Sequence, residues 1–175
     1  MSAMVGRIRH AGENSTDALR AVRACLTTIG WEPEARSGWT LDVDLESDET
    51  AVCGVTAEIL ADAERFLFYV RFRDAAPPEL RAEVAEFVTR ANAGLVIGNF
   101  ELHFDAGALR FKSSLDFTAV ELSELLIRNA IVSAMGAVEH YTPYLLAVIA
   151  GELSARDAHE AAERALEDEP EAYDA

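Results

Sequence analysis

Two cysteines and four histidines are the residues of this chain best suited to chemistry. Cys25 and Cys53 form no CxxC pair, fit no zinc-ligand spacing and have no flanking signature of a catalytic cysteine. Unpaired cysteines are often buried, so we interpret both as reduced thiols on the apolar side of their elements.

His103 lies between Glu101 and Asp105 on the polar face of a predicted strand. A metal site there would need ligands from the neighbouring strand, which instead offers Arg110 and Lys112. These residues favour cross-strand ion pairs on a solvated face.

The remaining histidines give no stronger metal signal. Glu139 with His140, and His159 with Glu163, could bind a metal at helical spacing, but the sequence lacks the HExxH pattern that would make this signal strong. No GxxxxGK[ST] or GxGxxG loop is present to hold a nucleotide. We predict no catalytic residue, no metal and no cofactor; an enzyme would require histidines and carboxylates clustered in a cleft.

The charge balance narrows the possible partners. The 175 residues include 31 acidic and 15 basic ones, for a net charge of −16. Such a chain repels nucleic acid and anionic membranes, and favours a protein partner with a basic face that associates more slowly at high salt. The longest apolar stretches, 130–138 and 144–150, are shorter than the ~20 residues that span a bilayer, and we expect a cytoplasmic protein.

The alternation of apolar and polar residues predicts five strands that interrupt three amphipathic helices. Three strands precede the helix that Pro77 and Pro78 open, and a hairpin follows it. The predicted order is α-β-β-β-α-β-β-α. We therefore expect an α+β fold with a five-stranded antiparallel sheet packed by helices.

Helix-start signals divide the chain. Residues 14–17 (Asn-Ser-Thr-Asp) offer capping oxygens for the first helix, and Thr118 with Glu121 resembles a capping box for the last long one. Pro143 predicts a kink or break in that helix. We expect a flexible leader over 1–13, one domain over 14–151, and an accessory helix with an acidic tail over 152–175.

Two groups of residues between about Ala91 and Ala158 carry a family resemblance. The first is Asn92-Ala93 followed by Gly98-Asn99-Phe100-Glu101-Leu102 and Leu109-Arg110-Phe111, and the second is Tyr141-Thr142-Pro143-Tyr144 followed by Gly151. This region resembles the YbjN domain family of bacterial sensory transduction regulators. The element order is also similar to that of type III secretion chaperones, which dimerise and bind extended protein segments. The resemblance implies a chaperone-like binding role and brings no catalytic residues.

Four apolar residues are placed by their alternation on the sheet face opposite the core: Val52, Leu60, Leu67 and Tyr69. If helices cover only one face, these residues form a surface for a partner or a second copy; alternatively, the long helix covers them. We predict a non-catalytic intracellular protein-binding module, chaperone-like or a regulatory adaptor, that acts as a homodimer. The alternative is a small-molecule-sensing signalling regulator with a pocket between the long helix and the sheet.

Overall fold

A computed structural model of the chain describes residues 11–45 and 51–168. Its helices are α1 (Ala11–Thr28), a 3-10 turn (Pro78–Leu80), α2 (Arg81–Gly94), α3 (Glu124–Ile149) and α4 (Ala155–Asp168). Its strands are β1 (Glu34–Ala35), β2 (Thr40–Asp44), β3 (Val52–Leu60), β4 (Arg65–Phe72), β5 (Asn99–His103) and β6 (Ala108–Asp116). The helices pack on one face of the sheet.

The strands form one antiparallel sheet in the order β1-β2-β3-β4-β6-β5. The α+β class and the five predicted strands are confirmed, and a sixth, β1, is added. That strand occupies a segment that the sequence predicts as a connector. Two residues are too few for an alternating pattern to be recognised.

The core lies between the sheet and the helices, and aromatic side chains fill it. Phe66 and Phe68 on β4 and Phe111 on β6 are fully buried, as are Phe87 on α2 and Ile127 on α3. Burying a side chain of this kind stabilises the fold by about 1.5–3 kcal/mol. Successive residues of β4 alternate between half-buried and buried, which confirms that only one face of the sheet is covered.

A side-chain amide covers part of the outer edge of β5. The Oδ1 atom of Asn92 accepts a hydrogen bond from the N–H of Phe100 at 2.7 Å, and its Nδ2 donates to the carbonyl of Phe100 at 3.0 Å. The side chain thus makes both bonds that a neighbouring strand would offer Phe100. Unpaired edge groups otherwise invite pairing with another chain.

The capping role predicted for residues 14–17 is wrong, because α1 already begins at Ala11. Asn14 is buried, and its amide donates to Oε1 of Glu64 at 2.9 Å and to the carbonyls of Phe117 and Val120. The other oxygen of Glu64 accepts from the N–H of Ala119 at 2.8 Å. The buried Glu64 carboxylate therefore joins α1, the β3–β4 turn and the loop before α3.

The capping box predicted at Thr118 is also wrong. Ala119 has a φ of 59°, which interrupts a helix at that point, and the Thr118 hydroxyl accepts a bond from Arg65 instead. The helix begins at Glu124, where the Ser123 side chain accepts from the N–H of Leu126. It then continues through Pro143 without a break.

Helix α4, which lies in the predicted accessory segment, packs on α2 and α3. Its residues Ala155, Ala158 and Ala162 are fully buried. The predicted division at residue 152 stays a prediction. Residues 1–10 of the predicted leader and 169–175 of the acidic tail lie outside the described part of the chain.

Among the described helices, none combines the length and the apolar character needed to cross a membrane.

Replacing the buried carboxylate tests its joining role. In Glu64→Gln one oxygen becomes an NH2 group, which points a donor at another donor. We expect the free energy of unfolding to fall by about 2 kcal/mol, since a hydrogen bond to a buried charged group is lost. Urea unfolding followed by circular dichroism measures it. The exposed Glu152→Gln is the matched control and is expected to change stability by less than about 0.5 kcal/mol; equal effects would contradict the assignment.

Candidate partner-binding surface

The sheet face opposite the helices, here called the open face, is formed by the outward residues of β2 to β6. None of the described elements packs over it, and the outward side chains of β4 remain half-buried rather than buried. Part of the surface predicted from the sequence lies here. Leu60 is 40% exposed, and Leu67 and Tyr69 are half-buried.

Val52 is the exception, and its predicted place on this face is wrong. A β-bulge interrupts the register between Val52 and Gly54, so Val52 pairs with Phe72. The extra residue reverses the side-chain alternation, and Val52 joins the core with 8% exposure. The bulge also leaves Cys53 half-buried, where the sequence predicts a buried thiol, whereas Cys25 is buried as predicted.

Tyr69 lies at the centre of the open face. It pairs with Thr56 on β3 and with Lys112 on β6. The guanidinium carbon of Arg110 lies 4.4 Å from the centroid of the tyrosine ring, which is a cation–π arrangement. Burial raises the pKa of Tyr69, so its hydroxyl stays protonated at neutral pH.

Glu101 on β5 holds two basic side chains of β6. Its carboxylate accepts from Arg110 at 2.6 Å and forms a short contact with Lys112. Burial alone would raise the pKa of Glu101, but the hydrogen bonds from Lys112 and Arg110 outweigh burial and lower it. The cross-strand ion pairs predicted around His103 are confirmed at this position.

Further ion pairs extend across the rest of the open face. Arg71 pairs with Asp44 at 3.0 Å, and Arg65 pairs with Asp116 at 2.9 Å. Acidic and basic side chains are thus interspersed on this face, although the whole chain is strongly acidic. The face is therefore polar and locally balanced, with a limited apolar area around Tyr69.

Two concave regions meet on this face at Arg71 and Arg110. The first, about 460 Å³, contains Tyr69 and Glu58. The second, about 840 Å³, lies where β4 and β6 diverge and is lined mainly by apolar atoms. Its charged residues Arg71, Glu101 and Arg110 lie on the open face, whereas Phe72, Leu102 and Leu109 belong to the core side of the sheet.

An acidic groove adjoins the open face at the outer side of β2. It has a volume of about 730 Å³ and lies between the end of α1 and the first two strands. Its carboxylates belong to Glu32, Glu34, Asp42 and Asp44, and they outnumber the one basic residue in its lining, Arg23. The groove thus presents negative charge beside the arginines and the tyrosine of the sheet.

The three histidines in the described part of the chain make local structural contacts. The N–H of Ala106 lies 3.3 Å from Nδ1 of His103, Nε2 of His140 lies 3.1 Å from the carbonyl of Ala162, and His159 lies 3.6 Å from Glu163. Over residues 11–45 and 51–168, no three His, Cys, Asp or Glu side chains converge as a metal site would require.

Glu163 also binds the buried Tyr141, whose hydroxyl donates to it at 2.8 Å. Burial and the neighbouring carboxylate raise the pKa of Tyr141. This hydrogen bond attaches α4 to α3, so Tyr141, one of the residues that carry the family resemblance, has a structural role.

Core side chains fill the space between α3 and the sheet, where the alternative interpretation placed a ligand pocket. Ile127, Ala134 and Val138 of α3 are buried, and so is Phe111 of the sheet. The small-molecule hypothesis gains no support from this packing.

Comparison with known proteins agrees with this architecture. A model of the YbjN family, described as "Putative bacterial sensory transduction regulator", matches residues 18–147. The chain belongs to the YbjN family. No curated protein sequence matches it.

Two solved structures are similar to this member of the YbjN family. YbjN from E. coli has a TM-score of 0.53 and 13% sequence identity, over 81% of this chain and 93% of that one. A chain of the ExsC–ExsE complex has a TM-score of 0.52 and 16% identity, over 75% of this chain and 95% of that one. At these identities the likeness establishes a shared fold, as the sequence resemblance predicts.

The ion pairs of Glu101 predict a pH effect on stability. Because the folded-state pKa is lowered, this carboxylate stabilises the fold above its unfolded pKa and loses the effect as pH falls through the folded pKa. We expect Glu101→Gln to be less stable than the wild type at neutral pH. The difference should shrink on acidification below the ordinary glutamate range, which thermal unfolding at a series of pH values measures. A difference that is constant with pH would contradict the ion-pair assignment.

Proposed function

We propose that this YbjN-family protein is a non-catalytic regulator that binds an extended segment of a partner protein across its open face and acts as a homodimer in the cytoplasm. The observation that carries the proposal is the uncovered centre of the sheet. There Tyr69 lies beside Leu67, and no described helix packs on them. An accessible aromatic residue on a rigid strand is a suitable anchor for a partner.

The concave regions beside Tyr69 support the proposal that the partner segment binds in an extended conformation. One of them adjoins the tyrosine through Arg71 and Arg110. At the strand ends it reaches the apolar side chains of Phe72, Leu102 and Leu109 on the core side of the sheet, where an apolar side chain of the partner could enter. Peptides bind sheet surfaces through such spaced side-chain pockets. A similar fold occurs in the ExsC–ExsE complex, which contains two different proteins.

The acidic groove at β2 supports the proposal that one end of the bound partner segment carries basic residues. Asp42 and Asp44 at the border of the open face already pair with Arg36 and Arg71, so the charge offered to a partner is that of Glu32 and Glu34. A segment that crosses the sheet from the concavity at Arg71 and Arg110 would reach Glu32 and Glu34 with its basic residues. Its association rate would fall with salt, because the attraction is long-range and screened by ions.

A non-catalytic role also agrees with how the polar residues of the open face are used. Glu101, Arg110, Lys112, Arg65 and Asp116 hold one another in ion pairs. These contacts support the sheet instead of exposing a paired acid and base to a substrate.

Substitution on the open face tests the binding site. We expect Leu67→Ser combined with Tyr69→Ser to abolish capture of a specific protein that the wild type retains from native lysate, because the apolar anchor is removed. Capture at low and high salt, with identification of the bound proteins, measures this. The matched control is Val96→Ser, at a residue 95% exposed in the loop before β5. Capture that is equal for all three proteins would contradict the site, provided that circular dichroism shows each is folded.

The homodimer is tested separately by size-exclusion chromatography with light scattering. We expect twice the mass of one chain at a concentration of about 50 µM, well above the Kd of an ordinary stable dimer. A strict monomer at that concentration would remove the homodimer from the proposal and leave the binding site to be judged by capture.

A further inference from the structure

We propose that two copies of this chain associate through the outward side of α3, packed antiparallel about a two-fold axis. The inference rests on the proposed homodimer and assigns its interface. The outward side of α3, here called the outer stripe, consists of Leu125, Arg128, Val132, Met135, Gly136 and Glu139. These residues are spaced by three, four or seven positions, and so share one side of the helix.

The first argument is the apolar character of a side that faces away from the core. Leu125 is 66% exposed and Val132 is 64% exposed. Of the 26 residues of α3, only Glu124, Arg128 and Glu139 carry a formal charge at neutral pH. A helix whose outer side faced water would normally place polar residues there.

The apolar surface continues beyond the helix. Ile29 and Trp31, which follow α1, line a shallow concave region of about 370 Å³ together with Val132 and Met135 of the outer stripe. Its lining is mostly apolar. The interface therefore includes a recess next to α3 that a side chain of a second helix fills.

The glycine in the outer stripe gives a second argument. A Cβ atom added at Gly136 would meet nothing within 4 Å, so the packing of this chain does not require a glycine there. Glycine within a helix costs about 0.5–1 kcal/mol relative to alanine. Its presence is explained if a second helix approaches closely, since the distance between packed helices depends on the size of the contacting side chains.

The charges of the outer stripe indicate that a second copy of this chain binds there, and that the two α3 helices run antiparallel. Arg128 and Glu139 are both exposed, and neither forms an ion pair with another residue of 11–45 or 51–168. They are eleven residues apart, which is about 16 Å along the helix. A two-fold axis near Ser133 places Arg128 of each copy opposite Glu139 of the other.

The same axis aligns the apolar residues of the stripe. Val132 of one copy then faces Met135 of the other, and Leu125 faces the turn that contains Thr142. An in-register parallel arrangement would instead place each Arg128 against its equivalent, which like-charge repulsion disfavours. The stripe is thus complementary to itself in the antiparallel direction, as an isologous interface requires.

Charge reversal provides the sharpest test. Arg128→Glu places four carboxylates in two like-charged pairs across the interface, and Glu139→Arg places four guanidinium groups there. We expect each single variant to raise the dimer Kd by about tenfold or more, and the double variant to restore it, because the double variant forms both pairs with the signs exchanged. Sedimentation equilibrium measures the Kd.

Two further variants distinguish an effect on dimerisation from an effect on the stability of the single chain. Val132→Asp should give a monomer that keeps the wild-type circular dichroism spectrum, and Gly136→Leu should weaken the dimer without lowering the unfolding temperature of the single chain. The control Val96→Asp, on an exposed loop, should leave the dimer unchanged. The assignment of α3 is overturned if the dimer persists in Val132→Asp, or if the double charge variant fails to restore it.

The outcome for α3 is distinguishable from that for partner binding. A wild-type protein that stays monomeric overturns both the α3 interface and the proposed homodimer, whereas capture through Tyr69 is read independently. If the dimer Kd is unchanged by every α3 substitution, only the interface assigned here is overturned.

Discussion

The hydrogen-bonded carboxylate of Glu64 is the constraint on which the arrangement of the helices depends. It lies in the tight turn between the two longest-paired strands, and it binds residues that are 50 and 55 positions away in the chain. A buried carboxylate is tolerated only when donors surround it, so the amide of Asn14 and the N–H of Ala119 must both be in place. The start of α1 and the approach to α3 are thereby fixed relative to the same turn. The apolar core then holds the helices on one face of the sheet and leaves the other accessible.

The two sides of the molecule that face away from the core differ in chemistry, which suggests a division of roles. The open face is dominated by ion pairs around Tyr69 and has only a small apolar area. The outer stripe of α3 is apolar over most of its length and carries one charge of each sign. The first surface is suited to a polar, reversible contact, and the second to a more permanent association.

Local patterns in the sequence predicted most of the fold, because alternation and helical spacing depend on neighbouring residues. They placed Leu60, Leu67 and Tyr69 on the open face, and the ion pairs of Glu101 followed from the facing strand. They failed where a long-range contact overrides a local signal. Asn14 resembles a helix cap but binds Glu64, and one extra residue beside Cys53 moves Val52 into the core. The outer stripe was overlooked because its spacing equals that of a buried helix, and only the exposure of Leu125 and Val132 in the structure distinguishes the two.

The amide of Asn92 has a consequence for assembly. By occupying the backbone groups of Phe100, it blocks the strand at one margin of the sheet from templating a further chain. Head-to-tail polymerisation of the sheet is thereby hindered at that margin. An association through a two-fold helix contact uses the same surface of both copies, so it stops at a dimer and does not continue into a polymer.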